Sequence, residues 1–527
     1  MREKATTPSP AWRRPAPAPP ACASGTAGGV VATAIRSGAI ALLFALMQQR
    51  SSVDDLAQEL RRELNRYSPG GKLPSSRALV ERHRVSPVTV SRALAQLVAE
   101  GLVVTRPGAG AFRAEPSAPA PAAAGDTSWQ EVALSADGAA DLVPRTVDAS
   151  GVTVSLAAPA PGVIEFNGGY LHPSLQPERA MAAALARAGR RPGAWGRPPL
   201  EGLPELREWF ARSIGGPGGS VTTAEVLIGA GGQSALTTAL RALAPPGAPV
   251  LVESPTYPGM LAIARSCGLH PVPVPVDADG VKPELLADAF RASGARVFVC
   301  QPLFQNPTGA VLAPARRAQV LRTAREAGAF VVEDDFVRRL VHEDAGPLPP
   351  PLAADDPDGV VVHVCSLTKA TSPSFRVSAL AARGPVLERL RAIQVVDSFF
   401  VPRPLQEAAL ELVGSPAWPR HLRTVSAELR VRREAMTGAL RMNLPRLALP
   451  HIPSGGYHLW MRLPDGTDET ALTAAALRAG VAITPGRPYF SAEPPAAHAR
   501  LSFAAVGGTA EIAEGVRRLG AACTEVL

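Results

Sequence analysis

Four short runs with almost no polar face constrain this chain more than anything else in it. They are Val250-Leu251-Val252, Val297-Phe298-Val299, Phe330-Val331-Val332 and Val360–Val364. A strand covered on both faces reads this way. From about residue 163 such runs alternate with longer helical patterns, as they do in a parallel sheet flanked by helices. Beyond about residue 440, Tyr457–Arg462 and Arg500–Ala504 read as strands of a smaller second lobe. No internal repeat is visible.

The chain has 527 residues, more than one core usually supports, so several domains are expected. A hydrophobic content of 46% fits a globular protein. Cys22, Cys267, Cys300, Cys365 and Cys523 form no C-x-x-C pair. That fits a reducing, cytoplasmic setting and argues against a disulfide framework or a zinc site; no metal is expected. Lysine is scarce, occurring only as Lys4, Lys72, Lys282 and Lys369.

The formal charge is +8, and residues 47–115 hold 11 Lys/Arg against 7 Asp/Glu, a net +4. That concentration suits a module facing nucleic acid, although a solvated basic surface looks the same. Val30–Met47 is apolar, but it is short for a membrane span and contains Arg36. Residues 1–46 are expected to be a disordered tail or the product of a mis-set start, with Met47 as the alternative initiator. No membrane association is expected.

Residues 52–66 carry Val53, Leu56, Leu60 and Leu64 at helical spacing. A second helix starts at Pro74-Ser75 and runs to about His83; Arg84-Val85 makes a turn. Ser86 and Pro87 suit the cap and first turn of a third helix ending near Glu100. Leu102–Thr105 and Ala111–Arg113 read as two strands joined around Pro107-Gly108-Ala109-Gly110. Three helices and a basic hairpin make a winged helix-turn-helix over 47–115. Residues 116–160 read as a Pro/Ala-rich linker and a weakly patterned segment. Residues 161–527 form the α/β part.

Within that part, chemistry-bearing residues fall in a set order. Gly231-Gly232-Gln233 comes first, then Tyr257 in Glu253-Ser254-Pro255-Thr256-Tyr257. Asn306-Pro307-Thr308-Gly309 follows, then Asp334, 28 residues on. Ser366-Leu367-Thr368-Lys369, Arg376 and Arg500 complete the series. Glycines at a helix start let backbone N–H groups face an anion.

This series resembles the pyridoxal 5'-phosphate (PLP) site of a fold-type I, class I aminotransferase. The resemblance implies a Schiff base on Lys369, with Asp334 at the pyridine nitrogen and Asn306 at O3′. It also implies a phosphate cup from Gly231, Gly232, Gln233, Ser366 and Arg376, an aromatic, Tyr257, beside the ring, and an α-carboxylate grip from Arg500. The head, through Leu73–Arg77, Ser86–Val90, Glu100–Leu102 and Arg106–Gly110, closely resembles that of the GntR family. DNA contacts are thereby implied for Ser75, Ser76, Arg77, Ser86, Thr89, Arg92, Arg106 and Gly108, with the third helix in the major groove.

Together the two halves resemble the MocR subfamily of GntR regulators. Expected partners are a double-stranded DNA operator, PLP, an amino-acid effector and a second copy of the chain. The alternatives are a working aminotransferase with an appended head, and a regulator that keeps the fold only as a scaffold. Two departures stand out: Phe336 replaces the family tyrosine, and Trp195 stands near where many members have a tyrosine. Enzymatic turnover is therefore not the expected main role.

Overall fold

A computed structural model describes residues 52–115, 147–153, 156–157 and 160–526. The expected tail 1–46, Met47 and most of the expected 116–160 segment lie outside the described residues. The chain divides into two units, Met1–Gly138 and Ala139–Leu527.

In the first unit α1 covers residues 52–63. Helix α2 spans Ser76–His83; its cap, Ser75 Oγ, accepts from the Ala78 N–H at 3.2 Å. Arg84 then takes the left-handed conformation (φ 53°), which turns the chain. Helix α3 spans Pro87–Ala99, and its cap, Ser86 Oγ, accepts from the Thr89 N–H at 3.1 Å. Leu56, Leu60, Leu79, Val90, Leu94 and Leu97 meet in one core. Strands β1 (Val103–Arg106) and β2 (Gly110–Arg113) form an antiparallel hairpin. Gly108, at φ 74°, supplies a turn geometry that a side chain would strain.

In the second unit β3 (Ile164–Glu165) is followed by an eight-stranded sheet. Its members are β4 (Val226–Gly229), β5 (Pro249–Ser254), β6 (His270–Asp277) and β7 (Gly280–Val281). The others are β8 (Val297–Cys300), β9 (Phe330–Asp335), β10 (Val361–Ser366) and β11 (Ser378–Ala381). The spatial order is β4-β11-β10-β9-β8-β5-β6-β7. Strands β10, β9, β8, β5 and β6 run parallel, and β11 lies antiparallel between β10 and β4. Helix α4 (Gly232–Leu243) follows β4, and α5 (Pro258–Ser266) follows β5.

The smaller lobe holds β12 (His458–Arg462), β13 (Val481–Ala482), β14 (Thr484–Pro485) and β15 (His498–Ser502). Strand β15 pairs with β12 and β14, while β13 pairs with β3. The long helix α6 (Ala417–Asn443) packs against the terminal helix α7 (Thr509–Val526).

Sequence patterning shifted one strand and left others, β6 among them, unmarked. The strand expected at Arg500–Ala504 starts two residues earlier, because His498 and Ala499 pair with Arg462 and Met461. Strand β6 was not anticipated, since Pro271, Pro273 and Pro275 deprive it of donors. The His270 N–H donates toward the β5 side, to Ala248 O at 3.0 Å. The alternate positions, all proline, face the other side, where β7 pairs only with Val276 and Asp277.

Under the site, His363 on β10 lies opposite Glu333 on β9, with Nδ1 and Oε2 2.7 Å apart and both side chains buried. The Leu352 and Ala353 N–H groups also donate to Glu333. Burial pushes the His363 imidazolium down, but Glu333 and Cys365 together outweigh it and leave its pKa at about 10. A raised pKa gives stability that is present below the unfolded value, about 6.5, and is lost as pH rises through about 10. His363→Leu should strand a buried carboxylate and lower stability by about 3–5 kcal/mol in urea unfolding. A loss below about 1 kcal/mol would contradict a charged pair.

Candidate functional site

The strands deliver their functional residues at one end. Gly231 and Gly232 follow β4, Tyr257 follows β5, Gln301 and Asn306 follow β8, and Lys369 follows β10; Asp334 is the penultimate residue of β9. In an open α/β sheet, ligands bind beyond these carboxyl ends. A cleft opens there. Tyr257, Asn306, Asp334, Ser366, Lys369, Arg376, Gly232 and Gln233 all line it.

Lys369 Nζ donates to Gly169 O at 2.7 Å and lies 3.9 Å from the centre of the Tyr170 ring. Burial lowers its pKa to about 8; the Tyr170 phenol opposes the shift and Arg500 adds to it. A lysine needs this change to act as a neutral amine near neutral pH. Asp334 is 5% exposed, and burial raises its carboxyl to about 6. Its Oδ2 accepts from Gln301 Nε2 at 2.6 Å. Two cationic or cation-forming groups, Lys369 and His363, favour its ionised form through space.

At the start of α4, Gly231 has φ 92°, and its N–H donates to Ser378 Oγ at 3.1 Å. A Cβ there would collide with the Arg376 guanidinium, so glycine keeps the space between helix start and arginine. Ser366 Oγ donates to Thr368 Oγ1 at 2.9 Å. Tyr257 OH donates to Gln233 Oε1 at 3.3 Å, and burial pushes that phenol's pKa up.

Arg500, 3% exposed on β15, donates from Nη2 to Asn167 O at 2.9 Å. Nη1 reaches Asn306 Oδ1 at 3.5 Å, and Nε has no partner among the described residues. A buried guanidinium left with an orphan N–H is suited to an anionic partner. The donor set therefore fits PLP: an amine, a carboxylate, a glycine-lined helix start with an arginine, and a guanidinium with an unpartnered N–H.

Phe336 lines the cleft, edge-on to Tyr457 at 6.4 Å. Trp195 is 81% exposed. Sequence reasoning missed Gln301, Gly169, Tyr170 and Tyr457. Gln301 had a signal, a polar residue directly after an apolar strand. Gly169 and Lys369 are 200 residues apart, and no motif marks the glycine.

On the other unit Ser75, Ser76, Arg77, Ser86, Arg92, Arg106 and Gly108 are all exposed, and Ser75 and Ser86 also cap their helices. Arg77 and Arg92 form no ion pair among the described residues, whereas Arg61 and Arg82 pair with Glu100 and Glu63. Arg106 lies over the Phe112 ring at 4.8 Å. Thr89 differs from the others: it is 7% exposed, and its hydroxyl bonds to Ser86 Oγ at 2.8 Å within the cap.

The chain belongs to the family described as aminotransferase class I and II, which it matches over residues 165–519. Residues 53–112 match bacterial regulatory proteins, gntR family. This pairing of head and body is the MocR arrangement, and its cofactor is PLP. The chain is 31% identical over 475 residues to the HTH-type transcriptional regulator TauR of Rhodobacter capsulatus, covering 87% of this chain and 93% of that one. It is 33% identical to the 2-aminoadipate transaminase of Thermus thermophilus over 371 residues, covering 70% of this chain and 91% of the relative. Among solved structures it resembles LysN, the α-aminoadipate aminotransferase of Thermus thermophilus, complexed with N-(5'-phosphopyridoxyl)-L-leucine. That match has a TM-score of 0.66 and 31% identity, covering 72% of this chain and 95% of LysN.

The lowered pKa of Lys369 has a kinetic consequence. Capture of PLP, followed by borohydride trapping, should accelerate as pH rises through about 8, because only the neutral amine attacks an aldehyde. A rate that stays flat from about pH 7 to about pH 9 would contradict a neutral-amine requirement set by that pKa.

Proposed function

We propose that this protein is a DNA-binding transcription regulator that binds PLP through Lys369 and responds to PLP or to its adduct with an amino acid. One observation supports this most: a single chain carries both a gntR-type head, whose Arg77 and Arg92 form no ion pair among the described residues, and a cleft lined by Lys369, Asp334 and Asn306, with Arg500 reaching Asn306. When bound, the cofactor supplies an aldehyde for amines and an electron sink. Lys369 provides the amine that holds it. Asp334 keeps a proton at the ring nitrogen, and Asn306 donates to O3′. The N–H groups of Gly232 and Gln233, with Ser366 and Arg376, would receive the phosphate, while Gly231, whose own N–H is held by Ser378, keeps the space beside Arg376. Tyr257 lies beside the ring, and Arg500 grips an effector carboxylate with its fork.

The segment by which the chain enters its second unit touches both lobes of the cleft. A Cβ on Gly151 would lie 3.2 Å from Pro488 Cβ and 3.4 Å from Pro258 Cβ. Pro258 follows Tyr257 of the cofactor cleft, and Pro488 precedes Tyr489, whose ring lies 5.8 Å from the Arg500 guanidinium. A shift of one lobe against the other on effector binding would press on this segment. Coupling between sites of this kind is typically about 1–3 kcal/mol.

The protein acts inside the cell, where DNA is, as a homodimer with two heads. No described helix is long and apolar enough to cross a membrane. The second reading, a working aminotransferase with a head, draws on the intact Lys369, Asp334, Asn306 and Arg500 set. Phe336, which lacks a phenol near O3′, weighs against rapid turnover. Fast multiple-turnover transamination of a physiological amino acid would favour that second reading.

Arg77→Ala and Arg92→Ala should each weaken operator binding by roughly 1–3 kcal/mol in a gel-shift or anisotropy titration, if they pair with guanine. Unchanged affinity and specificity in both variants would contradict the docking of α3. Arg500→Ala should retain the cofactor's absorption band and basal DNA binding, yet lose the change in DNA affinity on adding an amino acid. A preserved response would remove the carboxylate from the mechanism.

A further inference from the structure

Gln301 is the first residue after β8, and none of the roles above uses it. It is 5% exposed and held by three hydrogen bonds. Its Nε2 donates to Asp334 Oδ2 at 2.6 Å, and its Oε1 accepts from the Asn306 backbone N–H at 2.9 Å. Its own backbone N–H donates to Glu253 Oε2 at 3.0 Å. The Asn306 N–H can only donate, so flipping the amide would set two donors against each other. The NH2 end must therefore be the one that meets Asp334. Since an NH2 group also only donates, Asp334 Oδ2 accepts and carries no proton, which leaves Oδ1 for the cofactor.

We propose that Gln301 is a positioning residue for the cofactor: it holds Asp334 as a carboxylate with Oδ1 free for the ring nitrogen. The same amide ties Asp334 to Asn306, the donor expected at O3′, and so fixes the spacing of the two groups that grip the ring. The groups facing Asp334 make such an anchor necessary. Burial opposes its ionised form, as do Asp335 on its own strand and Glu253 on β5. The phenols of Tyr257 and Tyr457 face it as well. Lys369 and His363 favour ionisation, but the Gln301 hydrogen bond is the largest favourable influence.

The inference rests on PLP binding and not on the regulatory reading. Full-length wild type, Gln301→Leu and Gln301→Glu would be titrated with PLP, recording affinity, the pH midpoint of the bound cofactor's absorption change, and thermal stability. Gln301→Leu should bind PLP about tenfold more weakly and move the midpoint upward. Gln301→Glu should bind nearly as wild type at low pH, where its protonated acid donates as the amide does. It should lose affinity as pH rises and two carboxylates confront each other. Wild-type affinity and midpoint in Gln301→Leu, with only stability reduced, would overturn the proposal and leave a packing role. If the leucine variant does not fold, the glutamate variant decides: affinity that falls with pH more steeply than in wild type supports the proposal, and a profile parallel to wild type overturns it. A wild type that takes up no PLP would defeat the cofactor assignment instead.

Discussion

A carboxylate buried at the end of β9 is the constraint from which much of the second unit follows. Asp334 sits at 5% exposure, where an unpaired charge would cost several kcal/mol. The surroundings answer that cost from the two neighbouring strands: Gln301 after β8 donates to it, His363 on β10 favours its ionised form through space, and Lys369 beyond β10 completes the charge balance. Parallel pairing of β8, β9 and β10 brings these residues to one end of the sheet. An acid kept ready for a pyridine nitrogen and an amine kept near neutrality thus share one electrostatic environment.

The smaller lobe adds the other half of the cleft. Arg500 reaches Asn306 across the lobes and also holds Asn167 O, while Gly169, two residues on, caps Lys369. The stretch 167–170 therefore touches two cationic groups of the site, Lys369 and Arg500. A molecule bringing its own carboxylate and amine would compete with those contacts. That is the physical basis for reading the cleft as a sensor as well as a cofactor site.

Much of this was legible in the sequence, and for identifiable reasons. The apolar runs at 250–252, 297–299, 330–332 and 360–364 are sheet strands because burial on both faces leaves a local signal. Lys369, Asp334, Asn306 and Gly231 were legible because each has a distinctive neighbourhood and a fixed order. The third helix of the head was legible from its cap, since Ser86 accepts from a helix-start N–H group. Strand β6 was hidden because its prolines break the rule that sequence patterns use, and only pairing with β5 shows that the missing donors are not needed. Gly169, Tyr170 and Tyr457 were hidden because their role depends on contacts between distant parts of the chain. Thr89 looked like a DNA contact by position, yet its hydroxyl is engaged in the cap of α3.

The central claim is that the cleft and the head are energetically linked. Linkage is reciprocal, so it can be read from the cofactor side. Operator DNA would be titrated into the PLP-loaded full-length protein while amino-acid affinity is followed through the cofactor's absorption. Operator DNA should change that affinity by roughly 5–150-fold, and by the same factor with which the amino acid changes DNA affinity. Amino-acid affinity that is identical with and without saturating operator DNA would contradict the linkage.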